Sequence, residues 1–173
     1  MFGFSREREA APKFRAAIER ALHLDDTLGE AHACLGTLES YYDWDWAASE
    51  REFLRAIELN PNDAQFHGLF AICLLSRLGR REQAMREGAI AEELDPLTPL
   101  VAAWQGLNYH LARRFDEAEA EFKRALDLDP NFWTALTGLS AAYMNTGKLE
   151  AAVQIGEKAV TLSGRSPSAV SEL

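Results

Sequence analysis

A short segment of the form Ala-x-x-Leu-Asx-Pro recurs along this chain at an almost constant spacing. Its prolines are Pro61, Pro96 and Pro130, so the spacings are 35 and 34 residues. Related segments lie one period before and one period after, with Asp26 and Gly164 where the proline would be. A fixed period of this length indicates one structural unit that is repeated and stacked on its neighbours. The sequence therefore predicts a repeat array.

Apolar and small residues within each unit follow the spacing of an amphipathic helix that is interrupted once. In the third unit they are Ala102, Gly106, Tyr109, Phe115, Ala118, Phe122 and Ala125. The interruption falls at residues 112–114, and the neighbouring units carry Gly79 and Gly147 there, where glycine is a common helix terminator. The proline segment ends the second helix. Each unit is therefore predicted to be two antiparallel helices joined by a tight turn.

The small residues and their spacing resemble the tetratricopeptide repeat, whose period is 34 residues. The unit that ends at Pro130 carries nearly the whole pattern, and the resemblance covers roughly residues 13–170. It implies an all-α fold, a right-handed superhelix (α-solenoid) of antiparallel helix hairpins over residues 1–173. We expect a lone second helix at 9–27, repeats at 29–62, 64–97, 99–132 and 133–166, and the start of a further helix at 167–173.

Two departures from the regular pattern stand out. The first two full repeats each have one extra residue, which we place in or beside the turn between their helices. Gly88 and Gly156 stand where Phe53 and Phe122 provide a large apolar side chain. Glycine inside a helix lowers helix stability, so we expect these two helices to be slightly loosened.

A narrower resemblance concerns residues 41–53 and the Ile57-Glu-Leu-Asn-Pro61 segment that follows them. They are similar to repeat arrays that lie C-terminal to effector domains in bacterial signalling proteins: winged-helix transcription regulators, adenylate cyclases and serine/threonine kinases. No such effector domain is recognisable in this sequence. We therefore expect the chain to be a piece of a larger bacterial regulator.

Composition and motifs argue against several classes of function. The net charge is −9, so the chain lacks the excess of basic residues from which a nucleic-acid-binding protein builds its basic surface. The longest apolar run, residues 69–75, is too short to cross a membrane. No motif for phosphate binding, metal-dependent hydrolysis or nucleophilic catalysis is present, so we expect neither an enzyme nor a cofactor. Two cysteines and the absence of a secretory signal favour a cytoplasmic protein.

His32 and His67 lie 35 residues apart, with Cys34 and Cys73 nearby. A metal site is the less favoured interpretation, because the spacings do not match those of metal ligands and carboxylates are not expected to converge there. This repeat position normally packs between helices. We therefore expect both histidines in the core and both cysteines as small buried side chains.

The concave groove lined by the first helices is the predicted functional surface. Its candidate residues, read off by period, are Thr37, Tyr41, Gln65, Leu69, Ile72, Ala103, Leu107, His110, Leu111, Thr137, Ala141 and Met144. Relatives that hold the C-terminal carboxylate of chaperone peptides use lysine, arginine and asparagine at such positions, and these are nearly absent here. The groove is therefore expected to bind an apolar or helical segment of a protein partner, or of its own parent protein.

An aromatic cluster follows at residues 41–46, where the first repeat turns from one helix to the next. Trp46 occupies the position of Phe115 and is expected to pack inward. Tyr42 and Trp44 are candidates for an exposed loop that contacts a partner, since tyrosine and tryptophan dominate many binding sites.

Self-assembly is the alternative function. The ends of the array expose apolar helix faces, for instance around Phe14 and Ile18, that a second copy of the chain would cover. This predicts a homo-oligomer through uncapped ends, or a spacer module within a larger regulator.

Overall fold

A computed structural model describes the backbone of residues 3–162 and the side chains of residues 11–162. Its helices are α1 (Gly3–Leu24), α2 (Gly29–Leu38), α3 (Trp46–Leu59), α4 (Ala64–Leu69), α5 (Arg81–Leu94), α6 (Pro99–Leu111), α7 (Phe115–Leu128), α8 (Trp133–Asn145) and α9 (Leu149–Leu162). Two π-helical segments, Glu39–Asp43 and Phe70–Leu75, extend α2 and α4. The further helix predicted at 167–173 lies outside the described residues.

Helices α2 to α9 form four hairpins, each packed on the next, and α1 packs on α2. The described residues contain no strand. This confirms the predicted all-α solenoid. The lone helix α1 is longer than expected, because it begins at Gly3 rather than near Glu9.

The turn inside each hairpin has the same backbone form. One residue of each turn adopts the left-handed conformation: Trp44, Gly79, Arg113 and Gly147, with φ of 59°, 72°, 62° and 76°. Gly79 and Gly147 confirm the predicted helix terminators, because glycine enters this conformation without a steric penalty. At the starts of α3 and α4, the carboxylates of Asp45 and Asp63 accept hydrogen bonds from backbone N–H groups of the first turn.

The π-helical segments hold the extra residues of the first two full repeats. Each segment lies at the end of a first helix, directly before the hairpin turn. In the second of them, the backbone N–H of Ser76 donates to the carbonyl of Ala71, five residues earlier. A π turn accommodates one residue more than an α turn. The predicted position beside the turn is therefore confirmed.

Small residues bring the helices close together around large aromatic side chains. Phe122 is fully buried between α6 and α8. A Cβ atom added at Gly106 or Gly138 would lie 2.7 or 2.4 Å from its ring.

At the N-terminal end, Phe14 is exposed as expected, whereas Ile18 is buried. The expectation of an exposed Ile18 is wrong, because this residue lies on the face of α1 that is buried by packing on α2.

Polar side chains of α6 fill the space left by Gly88. A Cβ atom at Gly88 would lie 2.0 Å from Oε1 of Gln105 and 2.9 Å from Nδ2 of Asn108. Both amides are buried, and Asn108 donates to Gln105 over 3.3 Å and accepts from the Ser76 hydroxyl at 2.7 Å. We call Ser76, Gly88, Gln105 and Asn108 the polar joint. The glycine thus provides room for buried amide groups from the next repeat.

Each of the two histidines joins three parts of its repeat. His67 is buried, its Nδ1 lies 2.7 Å from the Glu87 carboxylate of α5, and its Nε2 lies 3.0 Å from the Pro61 carbonyl. His32 is half-buried and pairs in the same way with Glu52, at 2.6 Å. The packing role is confirmed for His67. Each histidine has a single carboxylate partner, which the repeat pattern did not identify.

Candidate functional site

The first helices of the repeats, α2, α4, α6 and α8, line one side of the array. Successive first helices pack directly against one another: α2 on α4, α4 on α6, and α6 on α8. The second helices, α3, α5, α7 and α9, lie behind them. An array whose repeats are closest along one row of helices curves towards that row. The first helices therefore line the concave side.

Charge is distributed very unevenly between the two rows. Glu30 is the single aspartate, glutamate, lysine or arginine within the four first helices. The second helices carry the ion pairs, such as Arg124 with Glu92 at 2.8 Å and Lys123 with Glu119 at 2.8 Å. With the π-helical segments that extend α2 and α4 included, Glu30, Glu39 and Asp43 are the aspartate, glutamate, lysine and arginine residues of this row.

The candidate groove residues differ in their exposure. Gln65, Thr137, Tyr41, Leu111 and Met144 are exposed, whereas Thr37, Leu69, Ile72, Leu107, His110 and Ala141 are half-buried. Leu69 and Ile72 border the core cluster around Phe70, and Leu107 borders the one around Phe122. These half-buried apolar side chains are held in place by the core and still expose apolar surface to a binding partner.

Ala103 does not belong to this surface. It is 0% exposed and packs in the core between α6 and α8. Reading the groove by period alone placed it wrongly, because this position of a first helix is covered by the first helix of the next repeat. We therefore exclude Ala103 from the candidate groove.

An aromatic cluster closes one edge of the groove, and it contains a residue that sequence reasoning missed. The Arg77 guanidinium lies 4.3 Å from the ring centre of Tyr41, and 5.8 and 6.0 Å from those of Trp44 and Trp46. Such stacking holds a guanidinium against aromatic faces. Arg77 is distant from the cluster in sequence. The only sequence signal for its presence there is the repeat period, which gives Arg77 the same repeat position as Tyr42.

The aromatic side chains of this turn divide as the sequence pattern predicts. Trp46 is half-buried and packs against the cluster around Phe53, which confirms the prediction that it points inward. Trp44 is 62% exposed and meets Trp46 edge to face, with ring centres 5.5 Å apart. Tyr42 is also exposed. The structure thus places both candidate loop residues at the surface.

Burial dominates the electrostatics of the groove. It raises the pKa of the Tyr41 hydroxyl, and it raises the pKa of the adjacent Cys73 thiol to about 11. Burial lowers the pKa of His110, whose ring meets Phe115 edge to face at 5.3 Å. All three shifts favour the neutral forms near pH 7. These three groups are therefore neutral, although the Arg77 guanidinium lies beside Tyr41, and neither the thiol nor the imidazole is activated for catalysis.

The described residues contain no group of three or more His, Cys, Asp or Glu side chains that is arranged to hold a metal ion. None of their helices combines the length and apolar character needed to traverse a lipid bilayer.

Comparison with known proteins places the chain in a structural class. A family model described as a tetratricopeptide repeat matches residues 106–169. A search of curated proteins gave no match. Residues 106–169 thus match the tetratricopeptide-repeat family, as the period and the helix hairpins of this part of the chain predict.

Solved structures support the same fold. A thermophilic tetratricopeptide-repeat protein of Thermus thermophilus is 20% identical, with a TM-score of 0.81 over 98% of this chain and 93% of that one. The type IV pilus biogenesis factor PilW is 23% identical, with a TM-score of 0.78 over 92% and 73%. YrrB, a tetratricopeptide-repeat protein with an unusual peptide-binding site, is 17% identical, with a TM-score of 0.63 over 96% and 85%.

Proposed function

We propose that the chain is a non-catalytic scaffold that binds an apolar, helical segment of a protein partner along its concave groove. Tetratricopeptide-repeat proteins bind peptide or protein partners, and YrrB carries a peptide-binding site on the same fold. The observation that carries the proposal is the near absence of charge from the four first helices, although the chain as a whole is rich in charged residues.

Leu69, Ile72 and Leu107 are the proposed contacts at the centre of the groove. Each is half-buried, so binding would remove its remaining surface from water without first ordering a mobile side chain. Helical partners recognised in this way present apolar residues at spacings of three and four, which match a row of anchors along a groove. Tyr41, Tyr42 and Trp44 would contact the partner at the edge.

A peptide-display library panned on the purified chain tests this function. Enriched peptides should be apolar along one helical face, and their affinity should fall at least about tenfold for Ile72→Glu and Leu107→Glu, because the introduced carboxylate loses water on binding. Leu54→Glu is the matched control, since Leu54 lies on α3, is exposed, and occupies the repeat position of Lys123 and Glu157. Equal binding to Leu107→Glu and Leu54→Glu would reject the groove.

The parent protein's own effector domain is a candidate source of the bound segment, given the resemblance of residues 41–61 to arrays in bacterial regulators. We propose a cytoplasmic location on the same basis.

Self-assembly is the second candidate function, and the exposed Phe14 on α1 favours it. Sedimentation at several protein concentrations tests it, and a constant monomer mass would exclude it.

A further inference from the structure

A cleft lies at the edge of the array, where the turn of the second hairpin and the start of α5 meet the turn that follows α6. It has a volume of about 570 Å³, and its lining includes Arg80, Arg81, Arg86 and Arg114. Among the described residues that line it, Glu82 is the only acidic one. We call it the arginine cleft. It is separate from the concave groove, because none of the candidate groove residues lines it.

This part of the chain concentrates positive charge, although the chain as a whole is acidic. Residues 77–86 and 113–114 contain six of the eighteen lysines and arginines, whereas the net charge of the chain is −9. The turn of the first hairpin instead carries Asp43 and Asp45. At the turn of the last hairpin, the charged residues that line a smaller cleft are Lys148 and Glu150, whose charges cancel. The arginine cleft is therefore a local feature of the middle repeats rather than a property of every turn.

Two of the four arginines are held in place by their neighbours. Arg80 donates to the Glu50 carboxylate at 2.7 Å. Arg114 pairs with Glu117 at 2.8 Å, and its guanidinium lies 4.8 Å from the centre of the Tyr109 ring. A side chain that is already ordered loses less conformational entropy when it binds a ligand. The cleft thus presents an ordered guanidinium from each of two successive turns.

The other two arginines are available to bind an anion. Arg81 and Arg86 are both exposed, and neither forms an ion pair with another described residue, in contrast to Arg80 and Arg114. Glu82 offsets one of their two charges at most. The lining therefore keeps positive charge that no carboxylate of the described residues neutralises.

Met85 removes a further carboxylate from this place. It occupies the repeat position of Glu50 and Glu119, which accept hydrogen bonds from Arg80 and Lys148 of the following turns. In the arginine cleft, the Met85 sulfur lies 3.2 Å from Arg114. The side of Arg114 that faces α5 therefore meets a neutral side chain, where the neighbouring repeats supply an acid.

We propose that the arginine cleft binds an acidic segment of a protein partner, rich in aspartate and glutamate. Arginine suits such a ligand because its planar guanidinium donates two parallel hydrogen bonds to one carboxylate. A nucleic acid fits less well, since it requires an extended basic surface and the chain outside this cleft is acidic. The inference does not depend on the proposed groove function, because the two surfaces share no lining residue.

Fluorescence polarisation of a labelled oligoglutamate peptide, titrated with the full chain at physiological ionic strength, tests the site. Substituting both Arg81→Gln and Arg86→Gln should weaken binding at least about tenfold, because the two unpaired charges are lost. Arg20→Gln with Arg51→Gln is the matched control, since it removes the same charge from two exposed arginines outside the cleft. Its affinity should stay within about twofold of the wild type, because distant exposed charges are screened.

Met85→Glu provides a second test in which all four arginines remain. The added carboxylate would pair with Arg114 and compete with the peptide, so we expect binding to weaken about threefold, in keeping with an exposed ion pair. Met85→Gln, which adds no charge, should bind as the wild type does.

Four outcomes would overturn the proposal. The first is failure of the wild type to bind the oligoglutamate peptide. The second is equal affinity of the Arg81/Arg86 double variant and the Arg20/Arg51 control, which would show that only net charge matters. The third is equal binding of an oligoglutamine peptide, since carboxylates would then play no part. The fourth is tighter binding of an oligothymidylate of the same charge, which would make a nucleic acid the ligand.

Discussion

Glu39 is an acidic residue at a repeat position that is otherwise uncharged. It lies at the start of the first π-helical segment, and its counterparts in the register of the first helices are Leu74, Tyr109 and Tyr143. Atom Oε2 of Glu39 is enclosed and has no hydrogen-bond partner among the described residues. The first repeat thus holds a poorly solvated carboxyl group.

This environment shifts the ionisation of Glu39. Burial, followed by the negative charge of Glu52, raises its pKa to about 7, while Arg15 opposes the shift. Asp45 and Arg51 act more weakly and in opposite directions. Because the pKa in the folded state lies above that of the unfolded chain, the folded state binds the proton more tightly. This contribution to stability is fully present below about pH 4.5 and is lost as the pH rises through 7.

Glu39→Gln should therefore stabilise the protein in a pH-dependent way. At pH 8 we expect the free energy of unfolding to rise by about 1 kcal/mol, allowing for partial screening by solvent. Near pH 4.5 the variant and the wild type should be equally stable, since the wild-type carboxyl is then neutral in the fold. Chemical denaturation at both pH values measures the difference, and a gain of equal size at both would contradict the assignment.

His67 contributes a pH dependence of the same sign. The hydrogen bond to Glu87 raises the pKa of His67 despite the opposing effect of burial. Its stabilising contribution is present below the unfolded pKa of about 6.5 and is lost as the pH rises through the higher folded value. The Glu39→Gln variant should therefore retain some loss of stability above neutral pH.

At the scale of helices, a row of polar contacts links successive second helices. Arg80 donates to Glu50 at 2.7 Å, and Lys148 donates to Glu119 at 2.6 Å. Between these two pairs, Arg114 meets the Met85 sulfur across the helices at 3.2 Å, and its carboxylate partner is Glu117 of its own helix, at 2.8 Å. Met85 occupies the repeat position of Glu50 and Glu119, so it interrupts an otherwise regular row of ion pairs.

Met85→Glu should restore the missing ion pair between α5 and the start of α7. We expect a gain of about 0.5 kcal/mol in the free energy of unfolding, a typical value for a partly exposed pair. The gain should shrink at high salt because exposed charges are screened. Met85→Gln is the control of similar size without charge. A gain that is unchanged by salt, or equal in the Gln variant, would exclude an electrostatic origin.

The hairpins, their turns and the positions of small residues could be predicted from the sequence because each depends on local spacing that recurs with the period. The position of the extra residues could be predicted, but not that each would be accommodated in a π-helical turn. Ala103 could not be assigned correctly, since its burial depends on how closely α6 and α8 approach. The partner of His67 was missed for a similar reason: Glu87 is twenty residues away, and only the crossing of two helices brings the side chains together.

At the scale of the whole molecule, the polar joint separates the two largest apolar clusters, and a small cluster of Ala64, Ala91 and Val101 packs across it. One apolar cluster surrounds Phe53 and Phe70, and another surrounds Phe122. Between them lie the buried amides of Gln105 and Asn108, which contribute less to stability than apolar packing of the same area. In a stacked array, stability depends on each interface between neighbouring repeats. The joint between α5 and α6 should therefore be the weakest of these interfaces.

Native-state hydrogen exchange should divide the array at this joint. With rising denaturant, we expect amides of α2 to α5 and amides of α6 to α8 to exchange as two cooperative groups with different free energies of opening. In Gly88→Ala, protection from exchange should be lost at a lower denaturant concentration, since the added Cβ would overlap Gln105. A single free energy shared by every protected amide would show that the polar joint does not divide the array.

The π-helical segments also explain how the first two repeats differ from the rest without disturbing the stack. An added residue in a regular helix turns every later side chain by about 100°, which would bury polar groups and expose apolar ones. Here each insertion is confined to the last turn of a first helix, so α3 and α5 keep the same phase as α7 and α9. A comparison that allows only 34-residue units loses its alignment in this half, whereas the stacking of the hairpins is preserved.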